Sequence, residues 1–245
     1  MIGVFDSGFG GLTVCQEIIK EIPGQDIIFF ADIGNFPYGS KTPDQLRNFS
    51  RNILDFLINQ GAEVIVVACN SASSVIDESF RNQYDLPILD VISSGVRGLT
   101  KSKYNKLGLI ATEATINSGV LEEKINQLGI EVISKPAPEL VELAQSMKTG
   151  READELISKS LEFFKDKQID GFYLGCTHYS LIKEEISKEL GCEIIDPAVQ
   201  TTVDLSSFIQ GKEEPTKFYY YSSAYLEESK NSVRNILAND NVIVR

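Results

Sequence analysis

The sequence predicts an α/β protein of two pseudo-symmetric α/β domains, each built on a parallel sheet, with a candidate site in the cleft between them if the domains face each other. Three observations carry this reading. Short β-rich runs alternate with helical patterns along the chain, as in parallel sheets joined by helical crossovers. The runs form a loose internal repeat, "IGVFDSG", "DIIFFAD", "VIVVACNSAS" and "LPILDVI", then "LGLIATEAT", "IEVISKPA", "GFYLGCTHY" and "CEIIDPA". In both halves a cysteine, Cys69 or Cys176, directly follows the third run, and small polar residues follow it.

Taken in order, the first strand starts at Ile2 and leads into "DSGFGGL" (6–12), a glycine-rich turn opening a helix. Glycines let backbone approach a ligand, and a helix N-terminus favours an anion. The bland alternative is a tight turn without a ligand. It is neither a dinucleotide fingerprint, because Thr13 stands where the third glycine belongs, nor a P-loop. "NFPYGSKT" (35–42) predicts a loop with Tyr38 at its tip. Thr42-Pro43-Asp44-Gln45 is a capping box with proline at the first helical position. Leu46, Phe49, Ile53 and Leu57 then recur at helical spacing up to Gly61, which predicts a helix over 43–60. A second long amphipathic helix is expected at 151–167. The domains are expected at 1–94 plus 201–245, carrying Cys69, and at 95–200, carrying Cys176. Hinges fall near 92–98 and 196–200, and "KFYYYS", a helix and "NVIVR" return the chain to the first domain.

With 245 residues, 42% hydrophobic and 24% charged, the chain can bury a core without staples. Its net charge of −12 and lack of basic runs argue against nucleic acid and against an anionic membrane surface. Apolar runs such as "VIVVAC" (64–69) fall far short of the roughly 20 residues of a membrane span. No signal-peptide pattern is visible, so the cytoplasm is the expected location. Four cysteines and one histidine supply no CxxC pair and no zinc set, so no metal is expected. Cys15, at an apolar helix position, and Cys192, at a strand start, are read as packing.

Open α/β sheets bind ligands outside the carboxyl ends of their strands. Asp6-Ser7, Asp32, Cys69, Thr112 and Cys176 all fall at predicted strand ends. A thiol opening a helix is expected to have its pKa lowered by the helix dipole and nearby N–H groups, or else to be a buried small hydrophobe. His178, the one histidine, follows Cys176 by two residues. A single Cys–His pair suggests a cysteine hydrolase, which needs only one thiol. Two thiols facing across a cleft suit a two-base racemase: one thiolate takes a proton from carbon while the other thiol protonates the opposite face. This chemistry needs no metal and no pyridoxal, and no motif for either is present. A two-domain binding protein without chemistry is the non-enzyme alternative.

"DSGFGGL", "PYGSKT", "CNSAS" and "GCTHY", in this order and spacing, resemble the cofactor-independent glutamate racemases of the aspartate/glutamate racemase superfamily, and "IDPAVQT" and "FYYYSS" are similar to its C-terminal part. The resemblance covers essentially the whole chain. It implies an isomerase that interconverts L- and D-glutamate without cofactor. Cys69 and Cys176 would be the proton donor–acceptor pair, with Asp6 assisting Cys69 and His178 assisting Cys176. Asp6, Ser7, Tyr38, Gly39, Asn70, Ser71, Thr112, Thr177 and His178 would bind the substrate. The family also implies a homodimer and a supply of D-glutamate for peptidoglycan, hence cell-wall biogenesis and cell shape. Histidine in "GCTH" resembles the glutamate branch; racemisation of aspartate is the alternative. Three departures stand out: Ser71 for the usual threonine, Ala111 for a common glycine, and Gln145 where an assisting glutamate is usual. Glutamine cannot exchange a proton, so either Glu142 moves in, or His178 alone serves Cys176, or the rate is modest.

Overall fold

The computed structural model describes residues 1–224, 229–237 and 242–244; the ends of the expected "NVIVR" strand, Asn241 and Arg245, lie outside the described residues. The strands are β1 (Ile2–Asp6), β2 (Ile27–Ala31), β3 (Val64–Val67), β4 (Ile88–Asp90), β5 (Lys106–Ala111), β6 (Glu131–Pro136), β7 (Gly171–Gly175), β8 (Glu193–Ile195), β9 (Phe218–Ser222) and β10 (Val242–Val244). They form a six-stranded sheet, β10-β9-β2-β1-β3-β4, and a four-stranded sheet, β6-β5-β7-β8. Every pairing is parallel. The order β2-β1-β3-β4 recurs as β6-β5-β7-β8, so the sequence repeat is a repeat of topology.

Strands covered on both faces need apolar residues at every position, and period-2 alternation sends neighbours to opposite sides. Along β3, Val64 and Val66 join one core cluster while Ile65 and Val67 join another. Along β7, Phe172 and Leu174 face one cluster and Tyr173 the other.

The helices are α1 (Leu12–Glu21), α2 (Pro43–Asn59), α3 (Asn70–Ser73), α4 (Glu78–Arg81), α5 (Val91–Leu99), α6 (Glu113–Ser118), α7 (Val120–Asn126), α8 (Pro138–Ser146), α9 (Arg151–Leu161), α10 (Lys183–Leu190), α11 (Pro197–Leu205) and α12 (Ser229–Leu237). At the start of α2 both halves of the capping box form. Gln45 N donates to Thr42 Oγ1 at 3.3 Å and Thr42 N to Gln45 Oε1 at 3.0 Å. The helix expected at 151–167 ends earlier, at Leu161, and tightens into a 3-10 turn over Glu162–Phe164. That turn brings Phe164 edge-on to Phe172 of β7, 4.9 Å between centroids.

The chain passes between the sheets through α5 and α11, which pack on each other. Arg97 Nε of α5 donates to Asp204 Oδ2 of α11 at 2.8 Å. The expected boundaries at 94/95 and 200/201 fall inside these two helices. After α11 the chain runs to β9, which pairs with β2, and β10 pairs with β9. No helix among the described residues is long and apolar enough to cross a membrane.

Candidate active site

One cavity of about 190 Å³ opens between the strand ends of the two sheets. It is smaller than the roughly 300–1,000 Å³ of drug-sized sites and fits a small metabolite. Asp6, Ser7, Tyr38, Gly39, Cys69, Asn70 and Ser71 line it from the six-stranded side, and Thr112, Cys176 and His178 from the four-stranded side. Asp6 ends β1, Cys69 follows β3, Thr112 follows β5 and Cys176 follows β7. These are equivalent positions in the two halves, at the points where strand order reverses. Thr177 is not in the lining; its hydroxyl turns to Asp6 Oδ1 at 3.5 Å.

Cys69 caps α3 and is buried. Its Sγ donates to Ser7 Oγ at 3.8 Å. Burial, and then the negative charge of Asp6, push this thiol well above its usual pKa, against a smaller lowering by the Ala72 N–H. Cys176 caps the 3-10 turn Thr177–Ile182 and is also buried. Its Sγ lies 3.7 Å from His178 Nδ1. Burial and Asp6 raise it to about 12, opposed by the N–H groups of His178 and Tyr179. The expectation of lowered thiol pKa values is therefore corrected. The N–H groups are in place, but the turns they belong to are one or two turns long and carry little dipole. A dry site with a carboxylate in it outweighs them.

His178 is buried and its pKa is lowered by desolvation, with Asp6 pulling the other way. Its Nε2 sits 2.8 Å from Gln145 Oε1 on α8, and Phe9 N donates to the same oxygen at 3.1 Å. The Phe36 ring lies against the imidazole, 5.5 Å between centroids.

The glycine-rich turn packs closely against protein. Asp6 Oδ2 already accepts from Gly8 N at 3.3 Å and Gly11 N at 3.0 Å. A Cβ on Gly10 would stand 2.5 Å from His178 Nδ1 and 2.6 Å from its backbone nitrogen. The glycines are there so that the histidine loop of the other half can sit on this one.

Tyr38 is buried, not exposed at a loop tip. Its hydroxyl donates to Asp32, and its ring packs 5.5 Å from Phe49. Burial, then the Asp32 carboxylate, push its phenol pKa far up, so its hydroxyl stays protonated. Gly39 lets this loop close on Thr112, whose Cβ would be 2.9 Å from an added Cβ. Ser71 Oγ and Thr112 Oγ1 are 2.8 Å apart, joining the halves across the cavity. Both polar atoms of the buried Asn70 amide lack a partner among the described residues. A buried amide left open in a cavity wall is a group kept for a ligand.

Sequence reasoning missed Phe36, Ser40, Glu113, Pro138 and Val141, which also line the cavity. A signal existed for part of this. Pro138, Val141, Glu142 and Gln145 share one face at helical spacing, and the first three line the cavity while Gln145 holds the histidine. Glu142, though exposed, is at the rim.

Residues 2–204 match the family model described as Asp/Glu/Hydantoin racemase. The chain belongs to this racemase family. A glutamate racemase from Fusobacterium nucleatum subsp. nucleatum is 34% identical over 256 residues, covering 100% of this chain and 96% of that protein. A glutamate racemase from Francisella tularensis, crystallised with D-glutamate, shares 32% identity and superposes with a TM-score of 0.89 over 100% of this chain and 96% of that one. A glutamate racemase isoform from Bacillus anthracis gives 0.93 at 29% identity, with 100% and 96% covered. An aspartate racemase from Picrophilus torridus, at 18% identity and a TM-score of 0.67, shares the fold. Membership of the racemase family makes the chain an isomerase.

Proposed function

We propose that this racemase interconverts L- and D-glutamate by two-base proton transfer at Cα, with Cys69 and Cys176 as the two bases. The observation that carries the reading is the pair of buried thiols, one from each sheet, lining one small cavity. A hydrolase would use one of them and leave the other without a task. The two enantiomers present Cα–H on opposite faces, so a thiolate on one side and a thiol on the other serve either direction by exchanging roles.

Both thiols rest protonated, because their pKa values are raised. Forming a thiolate therefore costs free energy, which substrate binding must offset. The N–H groups of Ala72 on one side, and of His178 and Tyr179 on the other, are aimed at the sulfurs and stabilise the ionised form. His178 assists Cys176, and the charge of Asp6, felt by both sulfurs, keeps each thiol protonated at rest and makes each thiolate, once formed, the stronger base toward the Cα proton. Among the described residues no lysine or arginine lines the cavity. The substrate carboxylates are then held by neutral donors: the Asn70 amide and the hydroxyls of Ser7, Ser71 and Thr112. Tyr38 and Gly39 close the wall, and Thr177 orients Asp6. As parts of the same reading we propose a homodimer acting in the cytoplasm and supplying D-glutamate for peptidoglycan.

The test is incubation with L-glutamate in D₂O without added cofactor, following optical rotation and α-deuteration together. Racemisation with deuterium entering at Cα is expected. Absence of α-exchange with glutamate overturns the substrate, and exchange surviving in a Cys69→Ala, Cys176→Ala double variant overturns the mechanism.

A further inference from the structure

The oxygen of Gln145 meets two nitrogens, and one of them settles its chemistry. Phe9 N is a backbone donor with no lone pair to offer, so the side-chain atom it meets at 3.1 Å must be the amide oxygen. That oxygen carries no proton. The His178 Nε2 that lies 2.8 Å from it must therefore supply one. In a neutral imidazole a proton on Nε2 leaves a lone pair on Nδ1, and Nδ1 is the atom 3.7 Å from Cys176 Sγ. The ring is confined as well. A Cβ on Gly8 would lie 2.8 Å from both Gln145 Oε1 and His178 Nε2, and Phe36 covers the imidazole.

We propose that Gln145 is a positioning residue that holds His178 as the neutral Nε2–H tautomer, so that Nδ1 presents a lone pair to the Cys176 thiol. The proton step this permits is simple: the S–H bond of Cys176 breaks, an Nδ1–H bond forms, and a thiolate faces an imidazolium. No other atom changes hands, and the reverse step restores both neutral groups. A carboxylate at position 145 would work differently. It would accept from Nε2–H as the amide oxygen does, but its charge would raise the imidazole pKa and favour the doubly protonated ring, which offers the thiol no lone pair. The titratable groups that line the cavity with the ring are Asp6 from β1, Tyr38, Cys69 from the turn after β3, Glu113 from α6, Glu142 from α8 and Cys176 from its own loop. None of these lies between Gln145 and Nε2. The inference rests on His178 serving Cys176, but not on the identity of the substrate.

The single histidine makes the test direct. In protein labelled with ¹⁵N-histidine, long-range ¹H–¹⁵N correlation shows one imidazole. In the wild type at neutral pH, Nε2 is expected in the protonated range and Nδ1 in the unprotonated range. In Gln145→Met, which keeps length but offers no amide oxygen, the tautomers should mix. In Gln145→Glu the ring should titrate at higher pH than in the wild type, so that the doubly protonated form persists to higher pH. α-Deuterium exchange should fall at least about tenfold in Gln145→Met, and its pH profile should move in Gln145→Glu. A wild-type ring protonated on Nδ1, or an unchanged tautomer in a folded Gln145→Met, overturns the proposal. Because the resonance measurement needs no turnover, it stands even if glutamate proves to be the wrong substrate.

Discussion

Behind Cys69 the fold supplies the Ser7 hydroxyl and the N–H of Ala72. Behind Cys176 it supplies an imidazole, two backbone N–H groups and, beyond the imidazole, the oxygen of Gln145. The strand order around the two thiols is the same, yet their neighbours are not. The repeat thus fixes where each sulfur stands, and the local side chains decide how readily it gives up a proton. Asp6 is the exception that both share, because its charge raises both thiols. Enantiomers have equal free energy in water, so an asymmetric pair of bases does not bias the equilibrium. It makes the two half-reactions respond differently to pH and to substitution.

The largest effect tests what the two sides have in common. Cys69→Ala and Cys176→Ala should each lower racemisation at least about 10³-fold, since each removes a proton-transfer group. Polarimetry with glutamate measures this, and a single variant retaining near wild-type turnover would reduce the pair to one working thiol. The next effect separates the sides. His178→Asn should lower turnover by about 10²-fold, whereas Ser7→Ala, removing a neutral hydroxyl, should cost about tenfold or less. Equal losses would erase the proposed asymmetry.

The smallest effect is on stability. The folded pKa of Cys176 is raised to about 12 from an ordinary 9.0, so its contribution is fully present below 9.0 and lost as pH rises toward 12. The loss is about 1.4 kcal/mol for each pH unit in that window. Urea midpoints at pH 8 and 10 should therefore fall more in the wild type than in Cys176→Ala. Parallel falls would mean that the thiol is no harder to ionise folded than unfolded.

Much of the frame was legible. "VIVVAC" and "GFYLGC" are apolar throughout because their strands are covered on both faces, and the cysteines after them mark equivalent strand ends. The parallel α/β class follows from the same alternation. What could not be read depends on the surface that one half presents to the other. "DSGFGGL" has the composition of an anion cradle, and only the packing of His178 on Gly10 shows what its missing side chains make room for. The sequence places N–H groups beside the thiols but does not reveal how dry the cavity is, so the sign of the pKa shifts is legible only in the structure. Tyr38 stands between proline and glycine, which suggests exposure; the buried Asp32 that receives its hydroxyl is six residues back on another strand end.

The oxygen of Gln145 also ties pieces of chain that are remote in sequence, for Phe9 precedes α1 while Gln145 and His178 belong to the other half. A movement that draws the loop of Phe9 away from α8 removes one of the two donors that orient this amide. The amide is then free to turn, and its nitrogen can face the ring as well as its oxygen. Enclosure and proton readiness would thereby be linked: were the cavity to widen for substrate entry, His178 would lose its fixed proton position, and reclosing would restore the arrangement in which Cys176 can be ionised.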